Sequence, residues 1–357
     1  MFRFKLGGGI IRIADFVAVA VILSALVLFP VSRRQLINVR MLPIYGLAGF
    51  ICLQSLFFEN YLNSLKEIIQ LLFVGVFLSI NMWLMSFNRK KYIDWLLFFL
   101  CISIIYTVLF HVLSGQFFRY KLAGDGKYAF GLFTVLAFLN WKITDDKKYK
   151  LYFIFSLLPL VLSLERKGMF GFLLVLVSYA GFIFLEYLRI KSKHLLLLLG
   201  CILVLLFLIF LGDINNLIDN KLYMENFLDE SIAIYTSNIH RESLLINGWS
   251  IFSENTAFGI GADNIRREMG QFYLDSNLAG GTHNFYLDSL IKYGVVGAVF
   301  LITLQFLVLK HEVNKVAGVF VLYCLFVAAF MSDGQAVLLL YMLPVFSCHV
   351  MFGNERI

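Results

Sequence analysis

Residues 195 to 212 read LLLLLGCILVLLFLIFLG, eighteen positions without a charge, and ten more apolar stretches of similar character recur along the chain. A run of this length suits one solvent. A hydrocarbon core about 30 Å thick takes roughly 20 residues of α-helix, and only a helix or a closed barrel satisfies its own backbone there. The eleven stretches lie near 13–29, 41–58, 67–87, 93–114, 123–141, 151–165, 168–188, 195–212, 285–309, 316–331 and 335–352. Composition agrees, because 60% hydrophobic and 17% aromatic residues with a mean hydropathy of +0.83 exceed what one soluble domain can cover. The expected fold class is all-α: a polytopic integral membrane protein with about 11–12 transmembrane helices and one large loop on the exported side.

Orientation follows from lysine and arginine, since short basic loops stay cytoplasmic. SRRQLINVR (32–40), NRKKY (88–92), KITDDKKYK (142–150), RIKSKH (189–194) and KHEVNK (310–315) are short and basic and alternate with the other breaks. This puts the 115–127 segment, the Arg166-Lys167 pair and the stretch 213–283 on the opposite, periplasmic face. The first dozen residues, MFRFKLGGGIIR, fit the scheme least well, being basic yet assigned outside. The chain divides into residues 1–212 (N-terminal transmembrane helices), 213–283 (periplasmic loop with an amphipathic helix) and 284–357 (C-terminal transmembrane helices). Cys52, Cys101, Cys201, Cys324 and Cys348 all fall in apolar spans and read as small core hydrophobes. The net charge of +7 suits anionic lipid and carries no indication of nucleic acid.

The long excursion is net acidic, with ten carboxylates against four basic residues, so Arg241 stands nearly alone in it. Within HRESLLINGWSIFSENTAFGIG (240–261), Leu244, Leu245, Trp249 and Phe252 recur at helical spacing. They predict a helix lying at the membrane surface, and the glycines of AFGIG permit a tight turn after it. The segment ERKG (165–168) sits between two apolar runs, as an interfacial turn with snorkelling cations or as a phosphate site. FRYKLAGDGKYAFG (118–131) brings Arg119, Lys121 and Lys127 around a Gly-Asp-Gly turn, which taken alone is an exposed loop. His283, in GGTHNFYLDSLIKYGVVG, opens a membrane-length run; it reads as a helix-start residue or as a general base. All these cations and His283 emerge on one face. Guanidinium groups bind phosphate bidentately, and with one titratable base they suit group transfer from a lipid-linked diphosphate.

The residues resemble a family at this point. His283 and Asn284, followed at helical spacing by Leu287, Leu290, Gly294 and Gly297, resemble the His-Asn-x-x-Leu and Gly-x-x-Gly signature of the O-antigen ligase and O-antigen polymerase superfamily. Arg241 with Gly259 and Gly261 is similar to that family's arginine, amphipathic helix and Gly-x-Gly. Leu164 to Gly168 resembles its arginine at the outer end of a middle span, although glutamate stands here where serine more often precedes the arginine. The resemblance runs over most of residues 118–353.

It implies an inner-membrane glycosyltransferase of the GT-C type, inverting and metal-independent, without a cofactor. The donor would be a glycan on undecaprenyl diphosphate, moved onto lipid A-core by a ligase or onto the next lipid-linked repeat by a polymerase. The resemblance casts His283 as the base and Arg166 and Arg241 as the cations on the diphosphate. Arg119, Lys121, Lys127, Lys167, Arg266 and Asn284 are the expected substrate-binding residues. One large periplasmic excursion rather than two favours the ligase. A lipid-linked glycan transporter would need ionisable groups deep within spans and paired half-repeats; Lys292 and few others lie so deep, and no repeat is visible.

Overall fold

The computed structural model describes residues 3–6, 9–12, 41–57, 61–113, 128–163, 166–187, 241, 243–261, 264–272, 281–311 and 315–328. Ten helices are labelled here in chain order: α1 (Leu42–Gln54), α2 (Tyr61–Phe87), α3 (Arg89–Leu113), α4 (Tyr128–Thr144), α5 (Lys147–Leu162), α6 (Arg166–Tyr187), α7 (243–254), α8 (Ile265–Gly270), α9 (Phe285–His311) and α10 (Lys315–Ala328). The spans expected near 13–29, 195–212 and 335–352 lie outside the described residues. The all-α expectation holds for the bulk of the described residues, which also include one short hairpin. Arg3–Leu6 and Gly9–Arg12 form an antiparallel hairpin, β1 and β2, with Leu6 opposite Gly9. Polar and apolar residues alternate in RFKL with a strand's period of two.

Local chemistry sets the helix ends. Pro43 opens α1 at a position where its missing N–H costs nothing. Asn88 separates α2 from α3, its side chain accepting from Lys91 N at 3.0 Å. Asp145 takes a left-handed φ of 51° to close α4, and Asp146 caps α5 by accepting from Lys148 N.

Helix α4 is the centre of the assembly. Phe130, Phe133, Val135, Leu136, Ala137, Phe138 and Leu139 are all buried, as are Thr134 and Asn140, which return their polar groups to Phe130 O and Leu136 O. It packs against α5 and α6, while α10 lies on α6 and α1 lies between α2 and α9. The outward faces are apolar as well. On α3, Ile93, Leu97 and Ile104 turn inward, yet Trp95, Phe98, Phe99, Ile102, Ile105, Tyr106 and Leu109 are exposed. A soluble protein would be polar there; a lipid-facing helix is not. Among the described residues, Lys90–Leu109 and Phe285–Thr303 are long and apolar enough to cross a membrane, and three shorter helices are apolar too.

In lipid, helices gain little hydrophobic energy by meeting, so close backbone contact between small residues has to contribute instead. Gly131 of α4 and Gly168 of α6 make such a contact, since a Cβ on Gly131 would lie 2.7 Å from the Gly168 Cα. The last residue of ERKG therefore serves packing. Of the cysteines, Cys324 is buried as expected and Cys101 is partly so, whereas Cys52 is exposed on the outer side of α1. Cys201 and Cys348 lie outside the described residues.

Candidate active site

The sequence places Gly294 and Gly297 on a continuous helix with His283. The structure breaks that helix. Gly294 has φ 63° and ψ −169°, so α9 is interrupted about ten residues after its start. An interrupted helix in a membrane leaves backbone groups that must be satisfied by protein. Here the turn after α7 satisfies them. Ile260 N donates to Ile291 O at 2.8 Å and Gly261 N to Lys292 O at 3.0 Å, while Val295 N donates to Thr256 O at 2.8 Å and Val296 N to Ala257 O at 3.2 Å. Gln54 of α1 adds its amide to Phe258 O and Lys292 O, at 2.5 and 2.8 Å.

The two glycine motifs are thus halves of one backbone lock. A Cβ on Gly259 (φ 69°) would sit 2.5 Å from the Lys292 carbonyl and 2.6 Å from Gly294 N; one on Gly294 would sit 2.3 Å from Ala257 O. Leu287 and Leu290 of the signature pack into a small core made by Leu244, Ile251, Phe252, Ile260, Ile265, Met269 and Ile291. That core fixes α7 and α8 on the first half of α9. On α7, Leu244 and Phe252 face this core, whereas Leu245 and Trp249 are exposed.

His283 lies at the entry to α9 and is exposed, with a left-handed φ of 57°. This conformation is uncommon for a residue with a side chain and needs surrounding structure to hold it. Both neighbours are tied. Asn284 caps α9, accepting from Tyr286 N at 3.0 Å and Leu287 N at 3.2 Å. Thr282 is buried; its N–H and hydroxyl donate to Asp288 Oδ1 at 2.7 and 2.8 Å. A Cβ on Gly248 of α7 would come 2.4 Å from the Thr282 methyl, so the histidine turn and α7 are in contact.

Arg241 is exposed, seven residues before Gly248 in the chain. Arg166 begins α6, and Lys167 beside it is half-buried. Arg266, exposed on α8, belongs to the same excursion as Arg241. Arg119, Lys121 and Lys127 lie outside the described residues. Three groups escaped the sequence reading as parts of this site: Asp288, Thr282 and the Glu67–Lys292 pair, whose side chains meet at 3.3 Å with Tyr293 also donating to Glu67. A signal existed. Asp288 and Lys292 are four residues apart in an apolar run, hence on one helix face, where charges are expensive unless they have partners.

The stretch that holds the lock, the histidine turn and both arginines is also where a known family is found. Residues 151–302 match the family model described as O-antigen ligase. Over these residues the chain is similar to the O-antigen ligase and polymerase superfamily. The match runs from near the start of α5 to the second half of α9, leaving residues 118–127, Gln54 and Glu67 outside. No curated protein and no solved structure matches the chain.

Proposed function

We propose that this protein is an O-antigen ligase of the inner membrane, transferring a glycan from undecaprenyl diphosphate to a sugar hydroxyl of lipid A-core at the periplasmic face. The observation that carries this reading is the His283 turn: an exposed imidazole held in a left-handed conformation at the mouth of an interrupted helix, within the stretch that matches the family. His283 takes the proton of the acceptor hydroxyl as that oxygen attacks the anomeric carbon. The bond from anomeric carbon to phosphate oxygen breaks on the opposite side, inverting the centre, and undecaprenyl diphosphate leaves. Arg166 and Arg241 bind the diphosphate and neutralise the charge that grows on it, the role a divalent cation fills elsewhere. Lys167 and Arg266, with Arg119, Lys121 and Lys127, extend this basic surface toward the donor.

A polymerase that joins lipid-linked repeats would use the same residues, so products separate the two. In a deletion strain, a ligase leaves core without polymer while lipid-linked polymer accumulates. Core capped with a single repeat unit on a lipopolysaccharide gel would identify the polymerase instead.

The arginines give a sharper test of the chemistry. Arg166→Ala or Arg241→Ala is expected to abolish transfer in a purified assay while the protein still inserts. Lysine at either position should restore little, because a point charge cannot reproduce the planar fork. Full activity in the Arg166→Lys/Arg241→Lys double variant would refute bidentate phosphate binding.

A further inference from the structure

We propose that Asp288 and Thr282 are positioning residues for His283: the buried carboxylate holds the turn from which the imidazole projects. This rests on the reading of His283 as the base. The carboxylate of Asp288 is completely enclosed, with 0% exposure, and receives both polar hydrogens of Thr282 on Oδ1. Its Oδ2 has no hydrogen-bond partner among the described residues and faces Gly281, where a Cβ would come within 2.8 Å. A buried carboxylate with one oxygen unpartnered is an expensive way to cap a helix that Asn284 already caps. A task beyond capping accounts for it.

The geometry supplies that task. Thr282 is the residue before His283, and its two bonds to Asp288 fix the backbone on the amino side of the left-handed residue. The cap bonds of Asn284 fix the other side. Between two tied neighbours, the His283 backbone keeps its φ of 57°, and with it the point from which the imidazole projects. One turn further along α9, Lys292 acts electrostatically on Asp288 and pairs with Glu67 of α2. A string of polar contacts and charge thus runs from α2 through α9 to the histidine turn, inside a region otherwise apolar. Gly248 and Gly281 leave the room it needs, since a Cβ on either would strike Thr282 or Asp288.

Thr282→Val and Thr282→Ser test the idea in the full chain, purified in lipid nanodiscs with a lipid-linked glycan donor and a lipid A-core acceptor. Thr282→Val fills the same space without the hydroxyl. It should lower kcat by about 10- to 100-fold, the usual cost of removing a group that orients an active residue, with both KM values within about threefold of wild type. Thr282→Ser should restore most of the rate, and Asp288→Asn should fall as Thr282→Val does. Added to His283→Gly, Thr282→Val should cost nothing further, because a residue acting through the imidazole has no effect once it is gone. Wild-type kcat in Thr282→Val, or the same fall with and without the imidazole, overturns the proposal. A fully active His283→Gly enzyme would instead remove the base itself and the positioning role with it.

Discussion

His283→Gly should fold at least as well as the wild type and transfer glycan about 10²- to 10⁴-fold more slowly, the range expected for loss of a positioned general base. The stability half of this expectation comes from the backbone. At φ 57° most residues with a Cβ, histidine among them, carry strain of roughly 1–2 kcal/mol, and glycine relieves it. His283→Asn is the companion variant, because asparagine tolerates the left-handed region but has no imidazole. Both variants should match the wild type in melting temperature within a few degrees, bind the lipid-linked donor, and turn over about 10²- to 10⁴-fold more slowly. His283→Ala is the less informative choice, as it keeps the strain and confounds stability with chemistry. A His283→Asn enzyme with wild-type turnover would leave His283 as a polar residue that starts a membrane helix and nothing more.

Much of the fold was legible because membrane-length apolar runs constrain so strongly. The stretches expected at 67–87, 93–114 and 168–188 correspond to the helices α2, α3 and α6, and α7 falls within 240–261, where the sequence predicts a helix. The hairpin at Arg3–Leu6 and Gly9–Arg12 was missed because twelve basic and glycine-rich residues were judged only by their charge. The break in α9 was missed for a different reason. Gly294 and Gly297 sit at a spacing that a continuous helix accommodates, and only the partner segment 256–261, more than thirty residues away, shows that the backbone turns there. Periodicity reads one element at a time, whereas the lock is a property of two.

The histidine turn was half legible for the same reason. His283 and Asn284 are visible as a polar pair before an apolar run, and the capping role of Asn284 follows from helix-start chemistry. The task of Asp288 does not. It depends on the chain doubling back so that a residue one turn inside α9 receives two bonds from the residue just before the histidine. Lys292 reads as a deep charge in the sequence, but its partner Glu67 lies on α2, 225 residues earlier.

Replacing Gly294 or Gly259 with alanine should be the most damaging single-methyl change in the described part of the chain. Three costs coincide at each position. Both residues have positive φ, which adds about 1–2 kcal/mol of strain once a Cβ is present. The new Cβ would lie 2.3–2.6 Å from backbone atoms of the opposing segment, and backbone has no rotamer by which to move aside. Separating the segments then exposes the carbonyls of Ile291 and Lys292 and the amides of Val295 and Val296, groups that cost several kcal/mol each when left unsatisfied in an apolar setting. Loss of the folded protein in detergent, read by melting temperature or by monodispersity on gel filtration, is the expected result for both. Gly49→Ala and Gly181→Ala are the controls. Their Cβ atoms would meet nothing within 4 Å, and alanine in a helix interior is favoured over glycine by about 0.5–1 kcal/mol. They should leave stability unchanged or slightly raised. If Gly294→Ala behaves like these controls, the interruption of α9 and its pairing with residues 256–261 are not the arrangement that the folded protein depends on.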